Sequence, residues 1–412
     1  SFAVAGSGVQ ARGESYLYTV EALEEYLKHL TPGGILAITR WVKLPPRDNL
    51  KLVATARDAL RTLGIENPAK QIAMIRSWNT ATLLVKNGAF SEQDIATMRD
   101  FAKSRSFDTA YYPKMPRDEA NRFNSLERPY FYEGIVALLG DKSHEFAARY
   151  KFQIEATSDD QPYFFHFFKW RTLPEVLALR DHGGAGLIEW GYLVVIATLI
   201  QALVLGSLLI LLPLARAPRR WAPGTGLRMG GYFFALGLAF LFIELAFIQK
   251  FILFLSHPLY SVAVVLAGFL IFAGLGSASS VRLAQWCKAR GLSPIVVAVS
   301  AICLMAVAYL FLLPPIFQSG FGLPDPARAA LSIFLIAPLA FFMGIPFPLG
   351  LSQVAESAAD FIPWAWGING FASVISTSLA TILAVEFGFT VVMLSALALY
   401  IGAAMLAYAA RT

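Results

Sequence analysis

Apolar positions in the first 186 residues follow helical and strand-like patterns in turn. Val20, Leu23, Tyr26, Leu27 and Leu30 share one helical face, which Thr19 can cap and Thr31-Pro32-Gly33-Gly34 ends. The run Ile35-Leu36-Ala37-Ile38 then predicts a short buried parallel strand. A second helix is expected from Asp48 to Leu63, closed by Gly64. Strands follow at Ile72–Ile75 and Ala81–Val85, and Asn87-Gly88 is a turn signal. Ser91-Glu92-Gln93-Asp94 reads as a capping box opening a helix to Arg105. Helix, strand, helix, strand, strand, helix is an α/β order.

After residue 186 the pattern changes. Seven apolar stretches are long enough to cross a bilayer, which takes about 20 residues. They cover 187–214, 230–255, 258–280, 294–317, 328–350, 363–386 and 388–409. The fifth holds Gly344-Ile345-Pro346-Phe347-Pro348-Leu349-Gly350, where two prolines must interrupt regular helix. Gly268, Gly274 and Gly276 are expected to let helices approach closely.

Composition supports this division. The 412 residues are 56% hydrophobic and only 15% charged. Residues 1–186 hold 24 Lys/Arg and 22 Asp/Glu, whereas 187–412 hold 10 and 6. The first part is composed like a soluble domain and the second like a membrane domain. The expected organisation is therefore an α/β domain over 1–186 and an all-α seven-helix transmembrane bundle over 187–412. The first part carries a net charge of only +2, from its 24 basic and 22 acidic residues, so no nucleic-acid partner is expected. Two cysteines, Cys287 and Cys303, cannot build a disulfide framework or a four-ligand metal site, and no metal is expected.

Several side chains could carry chemistry. Asp159 and Asp160 could bind a cationic amine and His166 could move a proton. The alternative is a turn whose carboxylates accept from backbone N–H groups. Phe164, Phe165, Phe167, Phe168 and Trp170 form an aromatic run expected to anchor at the membrane interface. Arg40 and Arg76 each end a strand, where open α/β sheets bind ligands, while Glu14 and Tyr18 lie in a flanking loop. In the membrane part Glu244 sits in mid-span. Lys250 is six residues on, about 9 Å along the axis, and can snorkel to the interface. Asn369, with Ser373, Ser376, Thr377 and Thr381, gives the sixth span a polar stripe. That stripe suits hydrogen bonding between helices or a pathway for a small cation or amine.

The segments Glu14-Ser15-Tyr16-Leu17-Tyr18-Thr19 and Leu30-Thr31-Pro32-Gly33-Gly34-Ile35-Leu36 resemble the later half of a class I S-adenosylmethionine-dependent transferase domain. Ile38-Thr39-Arg40-Trp41, Ile75-Arg76-Ser77-Trp78 and Thr157-Ser158-Asp159-Asp160-Gln161-Pro162-Tyr163-Phe164-Phe165-His166-Phe167 narrow the likeness. Together they resemble the bacterial spermidine-synthase-like proteins fused to membrane helices. The resemblance implies a Rossmann-type, methyltransferase-like sheet and an aminopropyl or methyl transferase of the inner membrane. It also implies a small amine or polyamine as partner. S-adenosylmethionine or its decarboxylated form would be the cofactor, and 1–186 would lie in the cytoplasm. The cofactor half of that fold would precede Ser1, so residues 1–412 are expected to bind no cofactor and to be inactive alone. Gly6-Ser7-Gly8 is the nearest approach to a Gly-rich loop, and Ser1-Phe2-Ala3-Val4 lacks the family's carboxylates. The alternative is a transporter or channel-like protein with a regulatory or vestigial transferase-like domain. Topology carries its own tension. Arg216, Arg219, Arg220 and Arg228 in one loop, and Arg282, Lys288 and Arg290 in another, mark a cytoplasmic side by the positive-inside rule. Seven crossings would then put 1–186 on the opposite side.

Overall fold

The computed structural model describes residues 14–178, 190–216 and 224–408. The Gly6-Ser7-Gly8 stretch and the Ser1–Val4 segment lie outside these. The chain forms two compact units, residues 1–194 and 195–412.

In the N-terminal unit, helix α1 (Val20–Lys28) begins where the Thr19 hydroxyl accepts from Ala22 N at 3.2 Å. Strand β1 (Ile35–Trp41) follows, then α2 (Asp48–Thr62), which closes at Gly64 with φ +84°. Strands β2 (Ile72–Arg76) and β3 (Thr80–Lys86) form a hairpin, and α3 (Glu92–Ser104) opens on the expected Ser91/Asp94 capping box. Strand β4 (Asp108–Tyr111) and helices α4 (Tyr130–Leu139) and α5 (Ser143–Arg149) complete the unit.

The sheet order is β1-β3-β2-β4, and every neighbouring pair is antiparallel. Ile38 faces Leu83 across one pair, and Met74 faces Leu83 across the next. Ala81, Leu83 and Val85 point to a core shared with Leu23, Leu50, Val53 and Ile135. The opposite face packs Ala73 and Leu84 against Met98 of α3. Two expectations are corrected here. Ile35–Ile38 is not a buried parallel strand. It belongs to an edge strand, with Ile35 45% and Trp41 49% exposed, because β3 pairs with it on one side only. A Rossmann-type parallel sheet is not seen among the described residues. What they form is a small antiparallel sheet with helices on both faces.

The C-terminal region holds, among the described residues, seven helical stretches long and apolar enough to span a membrane. They begin with α6 (Trp190–Gly206), prolonged to Ala215 through a π-helical turn at Ser207–Leu211 ahead of Pro213. The others are α7 (Thr225–Leu255), α8 (Pro258–Lys288), α9 (Pro294–Gly320), α10 (Asp325–Met343) with α11 (Pro346–Ser357), α12 (Ile362–Phe387) and α13 (Phe389–Tyr408). The fifth stretch is broken at Gly344-Ile345, as the two prolines require.

Close packing of α8 on α10 depends on two glycines facing each other's backbones. A Cβ on Gly276 would overlap the Phe341 carbonyl oxygen, and one on Gly344 would overlap that of Ala273. A Cβ on Gly268 would stand 3.3 Å from Ile336, closer than ordinary van der Waals contact. Gly274 meets nothing within 4 Å, so it is not part of the close approach expected of it. Gly276→Ala should therefore destabilise the purified protein by about 1–3 kcal/mol, the usual range for overpacking. Gly274→Ala, in the same helix, should leave the melting temperature unchanged or raise it. Thermal unfolding of both variants in one detergent is the check, and equal losses would contradict the packing described.

Candidate functional site

Two stretches far apart in sequence are stitched together at the start of α1. Ser15 N donates to Pro162 O at 2.7 Å, and Val20 N donates to Thr157 O at 2.8 Å. Thr157 Oγ1 donates to Tyr18 O at 2.7 Å. The Thr19 hydroxyl donates to Asp159 Oδ1 at 2.7 Å, while Asp159 N donates to the Glu21 carboxylate at 2.9 Å. Asp159 thus sits by the positive end of α1, where a carboxylate is favoured.

Around Tyr16 the unit gathers negative charge. Burial first, then the charges of Glu14, Asp159 and Asp160, push the Tyr16 phenol far above its ordinary range. Tyr163 is raised in the same way by burial and then by Glu14. Burial pushes the Glu14 carboxyl up to about 7, and it also raises Glu21. Four carboxylates and two phenols, one buried and one half-buried, therefore share one neighbourhood, which would favour a cation with an apolar body.

Tyr18 links this neighbourhood to a cationic one. Its phenol accepts from Arg40 Nη1 at 3.3 Å, and its ring stands 4.8 Å from that of Phe164. The Arg40 guanidinium lies over the Tyr18 and Phe165 rings at 5.2 and 4.8 Å. Arg40, Lys43 and Arg47 stand 3.4, 3.6 and 3.8 Å from the buried Asp48 carboxylate. Burial lowers the Lys43 ammonium, and Asp48 counteracts this in part. Lys51 donates to the carbonyls of His166 and Tyr163 at 2.7 and 3.2 Å, beneath the Phe167 ring.

The aromatic run is thus corrected. Phe164 and Phe167 are buried inside the N-terminal unit rather than anchored at an interface, because they cover Lys51 and, for Phe167, Arg47; Phe168 is buried against Trp170 and Tyr192. Trp170 remains half exposed. His166 is buried with its ring 4.9 Å from that of Tyr192. Burial, then the Lys51 charge, hold its imidazole down to about 3, so it is neutral at neutral pH and ill suited to shuttle protons there.

Arg76 belongs to another assembly. It pairs with the buried Asp108 at 2.8 Å and donates to Asn124 O at 2.7 Å. Asp108 also accepts from the backbone N–H groups of Arg122, Phe123 and Asn124 at 2.6 to 2.9 Å. The pair pins the loop after β4, a role that an Arg closing a strand does not reveal in sequence.

In the membrane helices Asn369 donates to Phe233 O at 3.1 Å, tying α12 to α7. Gly237 makes room for it, since a Cβ there would lie 2.6 Å from Asn369 O. Ser373, Ser376 and Thr381 donate to carbonyls of their own helix, so the polar stripe is largely consumed by helix bonding. Lys250 is half buried. Glu244 is only 6% exposed and makes no hydrogen bond or ion pair with a described residue. Among the described residues no group of three His, Cys, Asp or Glu could hold a metal ion.

Removing one partner of a buried ion pair leaves the other charge stranded, at a cost of about 3–5 kcal/mol. Arg76→Met should therefore lower the unfolding midpoint of the N-terminal unit strongly. Tryptophan fluorescence in a denaturant titration reads it, and an unchanged midpoint would mean that the pair is not buried as described.

No family model, no curated protein and no solved structure matches this chain. Its own features establish a multi-pass membrane protein, with seven membrane-length helices among the described residues, preceded by a unit built on a small antiparallel sheet.

Proposed function

We propose that the N-terminal unit is the acceptor side of a transferase-like domain of the spermidine-synthase-like, S-adenosylmethionine-dependent kind, and that it receives a small organic amine. One observation carries this reading. The stretches 14–19 and 157–167, which carry much of the family resemblance, converge and surround Tyr16 with carboxylates. An ammonium there gains from Glu14, Asp159 and Asp160, and the tyrosine rings supply apolar and π contact. Glu14, with its carboxyl near 7, could also take the proton that an amine sheds as it becomes a nucleophile.

The cofactor does not fit the described residues. Its nucleotide needs a Gly-rich turn from a strand into a helix, with an acidic residue about 20 positions on. No such turn exists among the described residues, and β1 pairs on one side only. The reading therefore rests on the amine side. A second reading, a transporter or channel-like protein with a regulatory transferase-like domain, is supported by the buried, unbonded Glu244 in α7.

Spermidine titrated calorimetrically into the full chain in detergent should bind saturably. Glu14→Gln and Asp160→Asn should each weaken it about tenfold. Affinity should rise from pH 6 to pH 8 as Glu14 loses its proton, and Glu14→Gln should flatten that rise. Absent binding, or binding indifferent to both variants, would overturn the amine reading.

We place the protein in a bacterial inner membrane with residues 1–186 in the cytoplasm, where nucleotide cofactors are made. A cysteine replacing the exposed His144, in a chain lacking Cys287 and Cys303, should escape an impermeant maleimide applied to intact cells. Efficient labelling would instead give the cytoplasmic side to the basic loops.

A further inference from the structure

The helical unit contains a cavity of about 650 Å³ that the amine reading does not use. Its wall is made by the first turn of α7, the last turns of α8, the start of α9 and the end of α11. Thr225, Arg228, Lys288, Ser352, Gln353 and Glu356 line it, and Met229, Pro294 and Leu349 supply an apolar floor. The volume falls in the range of small-molecule sites, about 300–1,000 Å³.

Its depth follows from helix length. Helices α7 and α8 have 31 residues each. At 1.5 Å per residue each spans about 46 Å, against about 30 Å for the hydrocarbon core. The surplus leaves about 8 Å at either end, which is the level of lipid head groups. Thr225, Arg228 and Lys288 lie within those end turns.

Its electrostatics favour an anion. Two cations line it against one carboxylate. Lys288 and Glu356 make no ion pair with a described residue, so the Lys288 ammonium is not neutralised within the cavity. The N-termini of α7 and α9 also open here, and neither receives a side-chain cap from its N-cap residue, Gly224 or Ser293. Their first-turn N–H groups favour negative charge. The ends of α8 and α11 bring carbonyls to the same place, and Lys288 in the last turn of α8 offsets one of them. Basic residues cluster on the adjoining connections, Arg216 after α6 and Arg290 after α8. Basic pockets between membrane helices at this depth suit phosphate-bearing head groups.

We propose that this cavity binds a phosphate ester, with Arg228 and Lys288 meeting the phosphate. Thr225 and Gln353 donate hydrogen bonds to its oxygens, and the apolar floor takes the carbon chain. Two sources share that chemistry, the head group of an anionic phospholipid and a soluble phosphate ester.

The test uses native mass spectrometry on the full chain in detergent, with phosphatidylglycerol and glycerol 3-phosphate as probes. At least one probe should give a saturable adduct. Arg228→Gln and Lys288→Gln should each cut its affinity about tenfold, while Glu356→Gln should strengthen it several-fold by removing a like charge. The opposite sign for Glu356 is one that a folding defect would not produce. Competition of excess glycerol 3-phosphate with the lipid adduct identifies a soluble ligand, and its failure to compete identifies the lipid. Absence of both adducts would overturn the proposal. So would adducts indifferent to the Arg228 and Lys288 variants, or weakened by Glu356→Gln.

Discussion

The helical unit depends on backbone meeting backbone where α8 crosses α10. Lipid tails are as apolar as leucine, so no hydrophobic effect drives membrane helices together. What remains is contact, and contact is closest where side chains are absent. Gly276 faces the Phe341 carbonyl while Gly344 faces that of Ala273, so each helix supplies a gap for the other. Gly344 is also the residue after which α10 stops, and α11 starts again at Pro346. The same residue therefore fixes the crossing and adjoins the break. That break sets the course of α11, whose end forms one wall of the basic cavity.

The N-terminal unit solves a different problem, the burial of cations. Arg47 and Lys51 are each 2% exposed, and one carboxylate, Asp48, stands among three basic side chains. A single carboxylate cannot offset that much desolvation. The aromatic run completes the compensation. Arg47 lies between Phe152 and Phe167, Lys51 meets Phe167, and Arg40 meets Tyr18 and Phe165. Backbone carbonyls of Tyr163 and His166 accept hydrogen bonds from the Lys51 ammonium. This accounts for the phenylalanines at 164, 165 and 167 better than a membrane interface does, since each ring faces a positive charge from β1 or α2.

Much of this was legible in the sequence wherever the signal was local. Thr19, Gly64 and the Ser91/Asp94 pair marked helix ends because capping is a matter of neighbouring residues. The apolar stretches marked the spans because length and hydropathy decide them. What depends on pairing was not legible. Ile35–Ile38 reads as a buried strand in isolation, but β3 covers only one of its edges. Strand β4 is four residues long, Asp108-Thr109-Ala110-Tyr111, too little pattern to separate from loop. Arg40 and Arg76 look alike in sequence, each basic and at a strand end. One stacks on rings beside Asp48 and the other locks to Asp108, and only the partners' positions separate them. Gly274 and Gly276 differ in the same way, for the step of two residues between them turns a helix by about 200° and moves the position off the contact.

The polar groups within the bundle share one device. Tyr232 donates to Pro346 O, Tyr309 to Leu335 O and Asn369 to Phe233 O, each reaching a different helix. A helical carbonyl has a second lone pair, so it can accept from a side chain without releasing its own helix bond. The bundle therefore offers acceptors to any side chain that can donate, and these bonds fasten α7 to α11, α9 to α10 and α12 to α7. Glu244 falls outside this scheme. An ionised carboxylate has nothing to donate, and carbonyl oxygens repel it. Only with a proton, or with a cation bound between it and the carbonyls, could it join the pattern that serves the tyrosines and Asn369. Packing alone gives no reason for a carboxyl at this position, where a leucine or methionine would fill similar space without that conflict. This sets Glu244 apart from Asn369, Ser373, Ser376 and Thr381, each of which donates to a helix carbonyl.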